Sequence, residues 1–347
     1  MRLYENAKYR EDLETTLNAI PAIERLWGKR VLVVGATGLI GSFLVEVLLY
    51  ANETQNAGIQ IMSHSRMYER LVARFGAERE NLEYLTSDIC EGISCEKRFD
   101  FVIHLASNAY PEKFRKEPVE TMLSNINGTL NLLRMAEKNK GCRMLYVSSG
   151  EVYGETTQDK IEDSYGYVDI LSARSCYPIS KRAGETLCCA YAEEYGVDVV
   201  IARPCHVYGA SGTEGDNRAS THFIRQAVMS EDIVMNSSGS QVRSYAYVAD
   251  AVSGIITVLL DGESTQAYNV APNESISIRE FAEICADEGG CQVRFMTSDD
   301  VERKEQSPIS SQVLINDKLI ALGWKGLFSA KKGIGRSIEI LKEMEEE

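Results

Sequence analysis

No stretch of this chain stays apolar for the roughly 18 residues that a membrane helix needs, so no membrane partner is expected. Its first twenty residues are charged throughout, without the apolar run of a signal peptide. Cysteines never stand as C-x-x-C. The nine of them (Cys90, Cys95, Cys142, Cys176, Cys188, Cys189, Cys205, Cys285 and Cys291) are odd in number and irregularly spaced. That pattern argues against a disulfide framework and against a zinc or other metal site, and it fits free thiols in a reducing cytoplasm. Positive charge is also in short supply: 37 Lys and Arg face 51 Asp and Glu, for a formal net charge of -14. Such a surface repels a phosphate backbone, which excludes nucleic acid as the expected partner.

What is present is a repeating pattern. Residues 1–28 read as a helical extension, with Leu13, Leu17 and Ile20 at helical spacing and Ile23 and Leu26 continuing the stripe beyond Pro21. It is expected to pack on the main body or on a second subunit. From residue 30, short Val- and Ile-rich runs alternate with segments of helical length. Strands are expected at 30–34, 58–62, 81–85, 100–106, 143–149 and 198–202, with helices over 42–50, 118–138 and 178–195. Apolar runs too short for helices are buried parallel strands, and their alternation with helices predicts an α/β fold, a Rossmann-type doubly wound parallel sheet. The expected division is a nucleotide-binding domain over 29–204 and a smaller C-terminal α/β substrate lobe over 205–347. The two interleave, because the last strand of the sheet is expected beyond residue 260.

Two clusters carry chemistry. Gly35, Gly38 and Gly41 form G-x-x-G-x-x-G between the first strand and the first helix of the repeat. Glycines there permit a tight turn and let the backbone approach a pyrophosphate at a helix N-terminus. Backbone N–H groups supply the local positive field, so an acidic protein can still hold a dinucleotide. The second strand leads into Ser65-Arg66 with no acidic residue for a ribose 2′-hydroxyl. Arg66 could meet a 2′-phosphate or simply be a solvated arginine, so the cofactor is read as NAD with NADP left open. The second cluster is Tyr177-Pro-Ile-Ser-Lys181. On a helix, positions i and i+4 share a face, and an ammonium beside a phenol favours the phenolate, a base near neutral pH.

These motifs at this separation, with Val147-Ser148-Ser149 between them, resemble the extended short-chain dehydrogenase/reductases of the NAD-dependent epimerase/dehydratase family. The resemblance runs from about residue 30 to 325 and is nearest to the UDP-glucuronate decarboxylases. It rests on residues 104–133, 148–154, 173–187, 203–209 and 239–250. It implies a nucleotide-sugar substrate, transient oxidation at C4 and a homodimer. It also implies cofactor contacts from Thr37, Leu39, Ile40, Asp88, Ile89, Leu105, Ala106, Ser107 and Pro204, together with Tyr177 and Lys181. Ser149 would share the substrate proton with Tyr177. Glu151 would complete the catalytic set, and Ser107, Glu151, His206, Arg218, Phe223 and Arg243 would line the substrate, with Gln226 nearby. Dehydratases of the group place an Asp-Glu pair after the Ser/Thr; here the pair is Gly150-Glu151, which favours decarboxylation. Pro178-Ile179 and His206 depart from the decarboxylase pattern, so a 4-epimerase, reductase or 4,6-dehydratase acting on another sugar, CDP- or dTDP-linked, is the alternative.

Overall fold

The computed structural model describes residues 2–109, 111–210, 216–295 and 311–346. Its strands are β1 (Arg30–Val34), β2 (Gln60–Ser65), β3 (Leu82–Thr86), β4 (Phe101–His104), β5 (Arg143–Val147), β6 (Asp198–Pro204), β7 (His206–Tyr208), β8 (Ile233–Met235), β9 (Val242–Tyr247), β10 (Ala267–Val270), β11 (Ser275–Ser277), β12 (Val293–Phe295) and β13 (Ser311–Gln312). The helices are α1 (Ala7–Ala19), α2 (Leu39–Gln55), α3 (Tyr68–Phe75), α4 (Pro111–Lys116), α5 (Pro118–Lys138), α6 (Cys176–Tyr195), α7 (Ala219–Val228), α8 (Val248–Asp261), α9 (Ile278–Gly289), α10 (Asp317–Ala321) and α11 (Ala330–Glu345).

Seven strands form one sheet in the order β10-β6-β5-β4-β1-β2-β3, and every neighbouring pair is parallel. This is the expected doubly wound sheet. Alternate residues of β1 serve opposite faces. Val31 and Val33 join one apolar cluster with residues of α2 and α8, while Leu32 and Val34 join another with residues of α5 and α6. Burial on both faces is why the strands read as unbroken apolar runs rather than alternating ones. The seventh strand, β10, comes from beyond residue 260. The chain leaves the sheet at β6, builds β7 to β9, and returns through α8. In the smaller lobe β9 pairs with β7, β11 and β13, and β8 pairs with β12. The order of the large sheet reverses at β1, whose neighbours are β2 and β4. The crevice at the carboxyl ends of these strands is where such sheets bind ligands.

The N-terminal extension packs on the main body. Helix α1 stops at Ala19, before Pro21, and buries Leu13 and Leu17. Two polar clusters fasten it. The Tyr9 hydroxyl donates to Glu46 on α2 (2.6 Å) and accepts from Arg74 on α3 (2.7 Å). Tyr247 at the end of β9 donates to Asp12 (2.6 Å), which also meets Arg336 of α11 (3.2 Å). One helix therefore ties the large sheet's flank to the smaller lobe.

Candidate active site

The glycine turn opens the crevice. Gly35 has φ +88°, and a Cβ there would lie 2.7 Å from the Ala106 nitrogen. A Cβ at Gly41 would collide with the Gly35 carbonyl oxygen. The fold itself therefore requires glycine at both positions, for the turn and for close packing of α2 on the strand ends. Gly38 is different: a Cβ there would meet only the Gly35 oxygen, at 3.6 Å. Packing does not demand glycine at this position, and what it leaves open is cavity. Gly38 is also the N-cap of α2, and no side chain caps that end. An uncapped 17-residue helix facing a cavity across a bare glycine is a fitting cradle for a pyrophosphate.

Ser149, Tyr177 and Lys181 converge on the same cavity, which also exposes Gly35, Gly38, Leu39, Ile40, Gly41, Leu105, Ser107, Glu151, Pro204, His206 and Arg218. Tyr177 and Lys181 lie on α6, one turn apart. The Lys181 ammonium donates to the Val147 carbonyl at the end of β5 (2.8 Å) and lies 5.9 Å from the Tyr177 ring centroid. Burial dominates both groups. It pushes Tyr177 up to about 12, with Glu151 adding to the rise and Ser149, Arg218 and Arg174 opposing it. It pushes Lys181 down to about 7. The ammonium expected to favour the phenolate is thus itself weakened by the apolar surroundings that raise the phenol.

Ser149 caps the short turn Gly150–Tyr153, accepting from the Glu151 N–H (3.1 Å). Glu151 lines the cavity from that turn, and Arg174, which does not line it, meets the carboxylate at 3.1 Å. A Cβ on Gly150 would come within 3.0 Å of Leu314, so the neighbouring position has no room for a second acid unless Leu314 moves. Phe114 of α4 stacks on Tyr177, with centroids 4.5 Å apart and planes inclined by 23°. Tyr153 is buried and donates to Asn269 (2.6 Å), while Tyr165 and Tyr167 are exposed.

On the smaller-lobe side, His206 lines the cavity and its Nδ1 is buried without a hydrogen-bond partner. Burial, with Arg243 and Arg218 adding, pushes it down to about 3, so the imidazole is neutral at physiological pH. The Arg218 guanidinium lines the cavity but is engaged by Asp216 (2.6 Å) and the Val207 carbonyl (3.1 Å). Arg243 is buried on β9, donating to the Val242 carbonyl (2.9 Å), and Phe223 belongs to the apolar core. Thr37, Arg66, Asp88, Ile89, Ala106, Phe223 and Arg243 do not line the cavity. Thr37 lies against Ser65 (3.3 Å), Asp88 accepts from the Cys90 N–H (2.8 Å), Arg66 is exposed, and a Cβ at Gly128 would touch Ile89. Sequence reasoning missed Phe114, Cys205, Asp216 and Gln312, all in the cavity wall. Phe114 had a signal, as the lone aromatic in Glu-Lys-Phe-Arg-Lys. Gln312 had none, because only the pairing of β13 with β9 brings it there.

A parallel sheet in this strand order, a glycine turn at its switch point, and a Ser-Tyr-Lys set beside it define a dinucleotide-dependent enzyme of the short-chain dehydrogenase/reductase class. The chain belongs to the NAD dependent epimerase/dehydratase family, whose model matches residues 31–271. NAD is the cofactor of that family. The chain is 31% identical over 317 residues to UDP-glucuronic acid decarboxylase 1 of Danio rerio, covering 90% of this chain and 72% of the relative. It is 32% identical over 306 residues to UDP-glucuronic acid decarboxylase 3 of Arabidopsis thaliana, covering 88% and 86% respectively. Among solved structures, a dTDP-glucose 4,6-dehydratase of Streptomyces venezuelae with NAD bound superposes with a TM-score of 0.76 at 24% identity, over 90% of this chain and 97% of that one. A UDP-N-acetylglucosamine 4-epimerase of Methanobrevibacter ruminantium gives 0.77 at 21% identity, over 91% and 99%. Among the described residues, no helix is long and apolar enough to cross a membrane.

Proposed function

We propose that the chain is a nucleotide-sugar decarboxylase of the UDP-glucuronate type, working by transient oxidation at C4. The observation that carries this reading is the pair Gly150-Glu151. Glu151 brings one carboxylate to the cavity beside Tyr177, and the neighbouring position is a glycine whose Cβ, if present, would press on Leu314 at 3.0 Å. Elimination of water needs a base for the C5 proton and an acid for the leaving hydroxyl, the roles that an Asp-Glu pair would fill. Loss of CO2 does not, because a ketone at C4 is β to the carboxylate on C5 and accepts the electrons of the breaking bond.

Bound NAD, cradled by Gly38 and the start of α2, would supply the hydride acceptor, the later return of that hydride, and a positive charge favouring the phenolate. Tyr177 takes the C4 hydroxyl proton, and Ser149 shares it. Lys181 holds the Tyr177 face of α6 against the end of β5. Glu151 orients the sugar, and Arg218 and His206 serve the diphosphate side. The enolate left by CO2 takes a proton from water at C5, and Tyr177 returns its own proton to the C4 oxygen; the hydride removed from C4 would be the one returned there, so no net oxidant is consumed. We further propose a cytoplasmic homodimer.

The decisive test is incubation with UDP-, dTDP-, GDP- and CDP-sugars, read by mass. UDP-glucuronate should lose CO2 and give a pentose nucleotide, and Tyr177→Phe should slow this about 10²- to 10⁴-fold. A single specific observation favours the second reading, a 4-epimerase or reductase on another nucleotide sugar: His206, a departure from the decarboxylase pattern, lines the cavity with its Nδ1 buried and unbonded. Oxidation at C4 of a different sugar, with UDP-glucuronate ignored, would establish that reading with the same Ser149, Tyr177 and Lys181.

A further inference from the structure

We propose that Arg174 is a positioning residue for the reaction centre: its guanidinium pins the Glu151 carboxylate by an ion pair and covers Phe114, the ring that stacks on Tyr177. This rests on the reading of Tyr177 as the base. Arg174 Nη2 lies 3.1 and 3.2 Å from the two Glu151 oxygens. Its Cζ stands 4.8 Å from the Phe114 centroid, and Phe114 in turn stacks 4.5 Å from Tyr177. Phe114 thus touches both the guanidinium and the phenol, and the guanidinium also holds Glu151, a carboxylate that acts on the phenol. Arg174 does not itself line the cavity, so it acts through these two neighbours.

The consequence is electrostatic. The groups that face Tyr177 are Glu151 and Ser149 from the turn after β5, Arg218 from the start of α7, Lys181 on α6, Tyr146 on β5 and Arg174 itself. Glu151 opposes ionisation of the phenol, while Ser149, Arg218 and Arg174 favour it. Arg174 therefore lets the site keep a carboxylate for the sugar while offsetting the harm that carboxylate does to the base. Side-chain exposure of 52% screens the guanidinium, so the effect is moderate.

The variants are Arg174→Met, which keeps a stem over Phe114 but loses the charge, Arg174→Lys, which restores the charge, and Arg174→Met combined with Glu151→Gln. Turnover of the nucleotide sugar identified by the panel is followed against pH. In Arg174→Met the acidic limb of the profile should move up by about half a unit to one unit. At pH 7 kcat should fall about three- to tenfold, with KM changed less than about twofold. Arg174→Lys should recover most of the shift. The double variant should return the limb to the wild-type position or below it, whatever its absolute rate. An unmoved limb in Arg174→Met, or no reversal in the double variant, overturns the proposal. Crystal structures of the wild-type chain and Arg174→Met give a readout that does not depend on substrate. Glu151 should leave its position and Phe114 should tilt. If no nucleotide sugar is turned over by the wild-type chain, the functional reading fails, and unchanged Glu151 and Phe114 in Arg174→Met would then overturn the positioning role by themselves.

Discussion

Leu314 fills the space above Gly150: a Cβ at position 150 would lie 3.0 Å from Leu314 Cδ2, with the Pro204 carbonyl oxygen 3.5 Å away. Restoring the dehydratase acid with Gly150→Asp should therefore disturb packing before it adds chemistry. Inserting bulk into a filled site costs about 1–3 kcal/mol. The variant should melt several degrees lower and should form no 4-keto-6-deoxy product from dTDP-glucose. Efficient dehydration by Gly150→Asp, with an unchanged melting temperature, would show that the position is open.

Lys181 gives a pH-dependent signature. Burial lowers it from 10.5 to about 7, so between these values the unfolded chain holds a proton that the folded chain does not. Stability then rises with pH across that window, and below about 7 the full burden of a buried charge is present. Lys181→Met in cofactor-free protein should accordingly melt higher than wild type at pH 7, with the gap closing towards pH 10. A gap that stays constant from pH 7 to 10 would place the ammonium in a better solvated site. Turnover of the same variant should be crippled, since it removes the partner of Tyr177.

Arg66 stands exposed just after β2, where no acidic residue is available for a ribose hydroxyl. Arg66→Ala should leave NAD binding within about threefold, as expected for a solvated charge. If Arg66 meets a 2′-phosphate, NADP should bind the variant about 10- to 150-fold more weakly, the equivalent of one charge-assisted contact. Equilibrium titration with both cofactors distinguishes this from equal, small effects, which would leave Arg66 a solvated arginine.

The fastening of α1 can be tested away from the chemistry. Tyr9→Phe deletes a hydroxyl that donates to the buried Glu46 and accepts from the partly buried Arg74. Leaving those charged partners short of a hydrogen bond should cost about 1–3 kcal/mol. Thermal or urea unfolding should show the loss, while kcat stays near wild type. A drop in kcat with unchanged stability would instead tie α1 to the working of the cleft.

The local sequence determined the parts whose physics is local. Val31 to Val34 read as a buried strand because both faces of a parallel sheet are covered. Gly35 and Gly41 read as a tight turn because backbone packs against backbone there. Tyr177 and Lys181 share a face because the helical repeat puts i and i+4 together. The tertiary structure alone decided everything that depends on distant segments meeting. It chose β6 as the neighbour of β10, a strand the sequence had placed only beyond residue 260, set Leu314 against Gly150 from more than 160 residues away, and brought Phe114 into contact with both Arg174 and Tyr177. It also set the balance at the base, since the same burial that raises Tyr177 lowers Lys181. A sequence shows which charges are available, but only packing fixes how much water each one keeps.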